Sequence, residues 1–326
     1  MGTVIRNTAS FGPFADVTNP SANIASITTT ILYAPTLQVV DAGGTYNGGP
    51  FAATATAVGI DSTTPVAGSF SYAYYAGTST SGPPLSAVPV NAGTYTVVAT
   101  FTSSNPDYSN STAQTTFTIA QATTVLSNLT TQQIIVGTST TVVSGRLTSN
   151  TVIPVGQSIS ITLNGVTQNA TVMTDGRFSV SFATDGLGVG TYPISYSYAG
   201  DNNFTAASAS GSLTVAYGSQ LLFNNSKPVH SGAVLPIKLA LTDANGSDIS
   251  SPNIAVTATS LVDANGNAVP LNAAGNANPN DLFRYDPTLG GYIFNLETTG
   301  LTAGTYTLYF TVGNDPTRHS LTFVVD

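Results

Sequence analysis

The sequence predicts an all-β chain of three tandem antiparallel β-sandwiches strung into an extended rod. Three observations predict it. A short phrase recurs as Gly93-Thr94-Tyr95, Gly190-Thr191-Tyr192 and Gly304-Thr305-Tyr306, at intervals of 97 and 114 residues, each time opening a β-prone run. A period near one hundred residues is the length of one sandwich. Runs with two-residue alternation lie between clusters of Gly, Pro and Asn, the pattern of short strands joined by turns. Finally, 326 residues are too many for one sandwich and suit three domains of about 100 residues.

The repeated tyrosines Tyr95, Tyr192 and Tyr306 fit the corner tyrosine of immunoglobulin-like sandwiches, which sits near the start of a late strand. Composition narrows the function classes. Only 7% of residues are charged, against about 25% in an average soluble protein, and Thr, Ser, Asn and Gly supply the polarity instead. That pattern suits exported surface repeats and predicts an extracellular or cell-surface location. Seven Lys and Arg face fifteen Asp and Glu with no basic cluster. Nucleic acid and anionic membranes are therefore not expected partners. With no cysteine, disulfides, thiolate metal sites and cysteine nucleophiles are excluded, and each sandwich must hold by core packing.

Along the chain, residues 1–34 read as an N-terminal extension or a strand of a preceding module. Met1–Arg6 lacks the apolar core of a signal peptide, so the chain reads as an interior fragment or as a mature chain targeted by parts elsewhere. Two turn-like patches, Phe11-Gly12-Pro13-Phe14 and Thr18-Asn19-Pro20-Ser21, precede a Thr- and Ile-rich run from Ile24 to Tyr33. That run is expected to be the first strand of the first sandwich. The alternatives are a last strand of a truncated module and a strand donated to a like subunit.

The first module spans 35–121 and includes an aromatic strand, Ser69 to Tyr75, and a closing strand, Gln114 to Ile119. The second spans 122–216 and alternates clearly at Thr140–Gly145, Ser158–Leu163 and Phe178–Phe182. Asn164-Gly165 and Asp175-Gly176 predict two-residue hairpin turns, which need positive φ at both positions. The third spans 217–326, and its extra length is expected to be a polar surface loop from Leu271 to Asn280.

The residues also carry resemblances. Val39-Val40-Asp41-Ala42-Gly43-Gly44-Thr45-Tyr46-Asn47-Gly48 with Tyr74-Tyr75-Ala76-Gly77 and Asn91-Ala92-Gly93-Thr94-Tyr95 resembles the MBG-type repeat of large bacterial surface proteins. Tyr196-Ser197-Tyr198-Ala199-Gly200-Asp201-Asn202-Asn203-Phe204 resembles the type 3 bacterial immunoglobulin-like repeat. Val234-Leu235-Pro236-Ile237-Lys238-Leu239 through Gly246, with Phe283-Arg284-Tyr285-Asp286, resembles the PxKF-type module. These resemblances imply a stalk or adhesin role, and none supplies catalytic residues to carry over.

Few constellations could carry chemistry. Asp243, Asn245 and Asp248, and again Asp263, Asn265 and Asn267, alternate oxygen side chains around a Gly as the first half of a calcium loop does. Neither has the downstream bidentate Glu, and both read first as Asn-Gly hairpin turns. Lys238 could condense with an Asn assisted by Glu297, the only Glu of the chain, or else pair with an acid or reach solvent. His230 and His319 lie 89 residues apart and read as surface residues. Of the acids, Asp281, Asp286 and Glu297 are densest, and Asp286 is expected to open the turn at Pro287. Tyr72, Tyr74 and Tyr75 span both faces of one strand, so one of them should point outward and could stack on a sugar.

The expected function is a non-enzymatic stalk, spacer or adhesion segment of a secreted or cell-surface bacterial protein, with no cofactor. Its expected partners are its own neighbouring modules, surface or matrix glycans, or like subunits. Two further readings follow: a self-assembling extracellular filament built by N-terminal strand donation, and a glycan-binding module presenting exposed tyrosines.

Overall fold

The computed structural model describes residues 31–326 in full and the backbone of two strands nearer the N terminus. The chain divides into two compact units. One comprises 1–124 with 149–152 and 200–206, the other 125–148, 153–199 and 207–326.

In the first unit, β1 (Val4–Ser10) and β2 (Ile24–Thr30) pair antiparallel over their whole length, from Val4 opposite Thr30 to Ser10 opposite Ile24. The Thr- and Ile-rich run is therefore not the first strand of a sandwich. Its partner is the nearby Val4–Ser10, a local pairing with a small loop-closure cost. The run's end does reach the sandwich, where Tyr33 forms a parallel bridge with Tyr108. The two turn-like patches at Phe11–Phe14 and Thr18–Ser21 lie outside the described residues.

Then follow β3 (Thr36–Val40), β4 (Gly44–Thr45), β5 (Thr54–Val58), β6 (Gly68–Ala76), β7 (Gly93–Ser103) and β8 (Ser111–Ala120). They form one sheet of β3 and β5 and one in the order β4-β8-β7-β6. Alternate residues of β7 and β8, among them Val97, Phe101, Phe117 and Ile119, are buried against Ala53, Ala57 and Val66. Gly43, at φ +63°, leads into β4, and a side chain there would strike the Thr118 backbone. Only glycine lets this segment approach β8 so closely.

The second unit holds two sandwiches. The first is built from β9 (Thr124–Ser127), β10 (Thr131–Ile135), β11 (Thr140–Ser149), β12 (Ser158–Leu163), β13 (Val166–Thr171), β14 (Arg177–Ala183), β15 (Gly190–Tyr198) and β16 (Ala207–Ala216). Its sheets run β10-β16-β15-β12-β13 and β14-β11-β9. The strict alternation of Ser158–Leu163 becomes alternating burial, with Ile159, Ile161 and Leu163 inside. The rings of Phe178 and Tyr196, one from each sheet, meet at 6.1 Å.

The last sandwich comprises β17 (Gly218–Leu221), β18 (Val234–Thr242), β19 (Val256–Asp263), β20 (Ala268–Val269), β21 (Arg284–Asp286), β22 (Gly291–Glu297), β23 (Gly304–Val312) and β24 (His319–Val325). Its sheets, β17-β18-β22-β21 and β20-β19-β23-β24, enclose one core of Ile237, Leu239, Phe294 and Leu296 against Leu308, Phe310 and Phe323. With the two-residue edge strand β20 set aside, this strand order, first-second-fifth-fourth facing third-sixth-seventh, is the immunoglobulin-like arrangement.

Turn chemistry was only partly readable. Asn164 and Gly165 both have positive φ, 47° and 78°, and form the two-residue hairpin between β12 and β13. At Asp175-Gly176 only Gly176 is left-handed, and its N–H closes on the Met173 carbonyl, making a longer loop with Gly in the bulge position. Asp243–Gly246 and Asp263–Gly266 are built the same way, with Gly246 and Gly266 donating to the carbonyls of Asp243 and Asp263. In each, an Asp opens the loop and its carboxylate receives the loop's N–H groups, which rewards the longer form.

The polar insert is also more than a surface loop. It contains two short turns of 3-10 helix, Gly275–Ala277 and Pro279–Asp281, flanking Asn278, which is buried. The Asn278 amide donates to the carbonyls of Leu282 and Ile293 and accepts from the N–H of Asn295. An amide side chain can replace a missing strand neighbour in this way, which no periodicity announces.

Candidate functional site

The Gly-Thr-Tyr phrases occupy equivalent places. Each starts the strand that pairs with the last strand of its sandwich, with Gly93 opposite Ile119, Gly190 opposite Val215 and Gly304 opposite Val325. The three tyrosine hydroxyls each donate to the carbonyl four residues upstream. Tyr95 reaches Asn91, Tyr192 reaches Gly188 and Tyr306 reaches Thr302, all at 2.9 Å. Their cross-strand neighbours are Phe117, Leu213 and Phe323. Only Tyr306 is fully enclosed, while Tyr95 and Tyr192 are half-buried.

A second shared feature is the pairing of an early strand with the last strand, in parallel. β4 pairs with β8, Gly44 beside Ile119 and Thr45 beside Ala120. β10 pairs with β16 over five residues, from Thr131 beside Ser212 to Ile135 beside Ala216. In the last sandwich Val229 bridges Val325, with Val229 N–H donating to Val324 and Asp326 N–H donating to Val229. Pulling on the two ends of such a pair slides the strands along each other, so every cross-strand hydrogen bond is strained together. An antiparallel pair pulled from the same end would open one bond at a time.

The two sandwiches of the second unit are joined by a single residue, Tyr217, between β16 and β17. Its N–H donates to Asp315 Oδ2 at 2.7 Å. The Asp315 side chain is fully enclosed. Its other oxygen accepts from the N–H and hydroxyl of Thr317, and Oδ2 also meets His319 Nε2 at 3.0 Å. Burial raises the pKa of this carboxyl, but the hydrogen bonds from Tyr217, Thr317 and His319 outweigh it and hold it below the ordinary value. Burial, helped by the Asp315 charge, pushes the Tyr217 phenol up. His319, expected on the surface, is thus enclosed, stacked on Phe310 with centroids 5.3 Å apart. A second contact fastens the joint, where Ala244 N–H donates to Val136 at 2.9 Å.

The remaining sequence candidates occupy these places. Asp243 Oδ1 accepts the N–H groups of Asn245 and Ser247, and Asp263 Oδ1 those of Asn265 and Asn267, with Asn267 also donating to Oδ2. These bonds, from Ser247 first for Asp243 and Asn267 first for Asp263, draw both pKa values down. Asp248 accepts from Ser250 N–H. Among the described residues no three His, Asp or Glu side chains gather into a metal-binding group.

Lys238 lies opposite Ile293, whereas Glu297 lies opposite Val234, four positions along the same strand pair. Both are half-buried on the sheet face away from the Ile237 and Leu239 core. At about 3.4 Å per residue that offset is about 14 Å along the strands. His230 is exposed and pairs with Asp326 at 2.9 Å. Asp286 accepts from Thr288 and Leu289 and opens the turn at Pro287. Among the aromatics of β6, Tyr74 is buried and accepts the N–H of Ala53, Tyr72 is exposed, and Tyr75 is half-buried on the opposite face. Among the described residues no helix is long and apolar enough to cross a membrane.

No protein-family model matches the chain, and no curated protein matches it in sequence. Solved structures similar to it include a three-domain I-band fragment of titin, 11% identical over 89% of this chain and 97% of that one, TM-score 0.29. Drosophila OTK extracellular domains 3-5 are 10% identical over 90% and 98%, TM-score 0.31. The Yersinia pseudotuberculosis adhesin InvE is 18% identical over 62% and 58%, TM-score 0.25. Overlap this loose carries no functional argument, and the immunoglobulin-like fold rests on the strand order above.

Proposed function

We propose that the chain is a non-enzymatic spacer or stalk of a secreted or cell-surface protein, with modules at 35–121, 122–216 and 217–326, and that its sandwiches resist tension along the chain. The observation that carries this reading is the parallel pairing of early and last strands, longest between β10 and β16. The low charge and the absence of cysteine suit an exported bacterial repeat held by packing alone. The single-residue joint at Tyr217, pinned by a buried carboxylate, suits a stalk that transmits force rather than one that flexes.

Single-molecule stretching of the whole chain tests it. The sandwich containing β10 and β16 is expected to give the highest unfolding force. Gln132→Pro on β10 should lower that force: β10 donates to β16 from alternate residues in phase with Val136, whose N–H bonds Ala216, so proline at 132 removes a ladder donor. Gln168→Pro, which removes a donor from the antiparallel pair of β13 with β12 opposite Ile161, is the control for general destabilisation. Equal loss of force in both variants, or none in Gln132→Pro, would refute the assignment.

A further inference from the structure

The first sandwich of the second unit carries an arrangement that tension resistance does not explain. Arg146 on β11 stands directly opposite Arg177 on β14. Both point away from the core, since their neighbours Gly145, Leu147 and Phe178 are the buried ones. The chain has only seven Lys and Arg, so two of them facing each other is a concentration of positive charge in a protein of net charge −8. Like charges directly across a strand pair are destabilising. Among the described residues the one acid within ion-pair distance of either guanidinium is Asp175, 3.4 Å from Arg177 Nε. Arg146 donates instead to the Asp175 carbonyl. One carboxylate therefore stands beside two cations and pairs with Arg177 alone, and the site keeps an excess positive charge.

These arginines line a cavity of about 380 Å³, within the usual range for small-ligand sites. Ser144, Ser179 and Asn128 add hydroxyl and amide groups to its wall, and Met173 adds an apolar surface. Guanidinium groups bind carboxylates in forked pairs. Neutral donors and acceptors beside an apolar patch complement the hydroxyls and ring of a sugar. We infer that this cleft binds the carboxylate of an acidic saccharide, a uronic-acid unit of a surface or matrix polymer. The inference goes beyond the tension-resisting role and does not depend on it.

Calorimetric titration of the full chain with a galacturonic acid oligosaccharide, its methyl ester and poly-glutamate tests it. Binding of the acidic oligosaccharide at about 1 mM or tighter is expected, with no binding of the ester. Arg146→Gln and Arg177→Gln should each weaken it at least about tenfold. Each variant relieves a like-charge pair and gives up one bond to Asp175, two effects of similar size, so both should melt within about 5 °C of the parent chain. No binding of the acidic oligosaccharide, equal binding of the ester, or binding unchanged in both variants would overturn the proposal. Tighter binding of poly-glutamate would overturn the saccharide assignment in favour of an acidic peptide.

Discussion

Replacing Tyr306 tests the corner geometry most sharply, because its ring and its hydroxyl can be removed separately. Tyr306 is 4% exposed, its ring stacks on Phe323 with centroids 5.7 Å apart, and its hydroxyl donates to Thr302 at 2.9 Å. Tyr306→Ala removes a buried aromatic ring and should cost about 3–5 kcal/mol. Tyr306→Phe keeps the ring and removes one hydrogen bond, so about 1 kcal/mol is expected. Tyr95→Ala and Tyr192→Ala should cost less, about 1–3 kcal/mol, because both rings are half-buried. The assay is hydrogen exchange by mass spectrometry across a urea titration. It reads residues 217–326 separately from the rest, so destabilisation should stay within the substituted sandwich. If Tyr306→Ala shifts residues 217–326 by less than about 1 kcal/mol, or if Tyr306→Phe costs as much as Tyr306→Ala, the assigned burial or the hydroxyl bond is wrong.

Further outcomes follow from the same geometry. Asp315 has its pKa held below the ordinary carboxylate value, so its contribution is present above the unfolded value of about 4 and fades as pH falls through the folded one. Asp315→Asn should lower stability at neutral pH and flatten the acid limb of the stability curve below about pH 4, and an unchanged limb would remove Asp315 from the account. The four-residue offset between Lys238 and Glu297, about 14 Å along the strands, leaves the lysine without the acid that would assist its condensation with an Asn. Intact mass should therefore show no loss of water or ammonia, and a loss would mean a crosslink. The carboxylates of Asp243 and Asp263 are occupied by backbone N–H groups of their own loops, so adding calcium or a chelator should move the melting temperature by less than about 1 °C. A calcium-dependent rise that disappears in Asp243→Asn would reverse that assignment.

Legibility followed how locally each feature is encoded. Ile159, Ile161 and Leu163 alternate in sequence and in burial because strand geometry sends successive side chains to opposite faces. Asn164-Gly165 announced its hairpin because both positions need left-handed backbone that Asn and Gly supply most readily. Asp175-Gly176 misled because the same dipeptide also closes a longer loop when the Asp side chain takes up its N–H groups. Residue type alone places Asn278 and His319 at the surface. Asn278 is enclosed because β22 offers its amide a carbonyl and an N–H, and His319 because Phe310 covers its ring while Asp315, four residues upstream in the turn before β24, meets its Nε2.

By itself the sequence determined the all-β class, the repeat period and the three Gly-Thr-Tyr strand starts, because alternation, turn residues and recurrence are properties of adjacent residues. Tertiary structure alone decided that Ile24–Thr30 pairs with Val4–Ser10, and that β10 runs parallel to β16. It alone brought Arg146 opposite Arg177 and Asp315 beneath Tyr217, across 31 and 98 residues of chain. Such pairings depend on which strand edge is left open after the local ones have formed. That choice is made by burying the largest shared apolar surface, and no short window of residues records it.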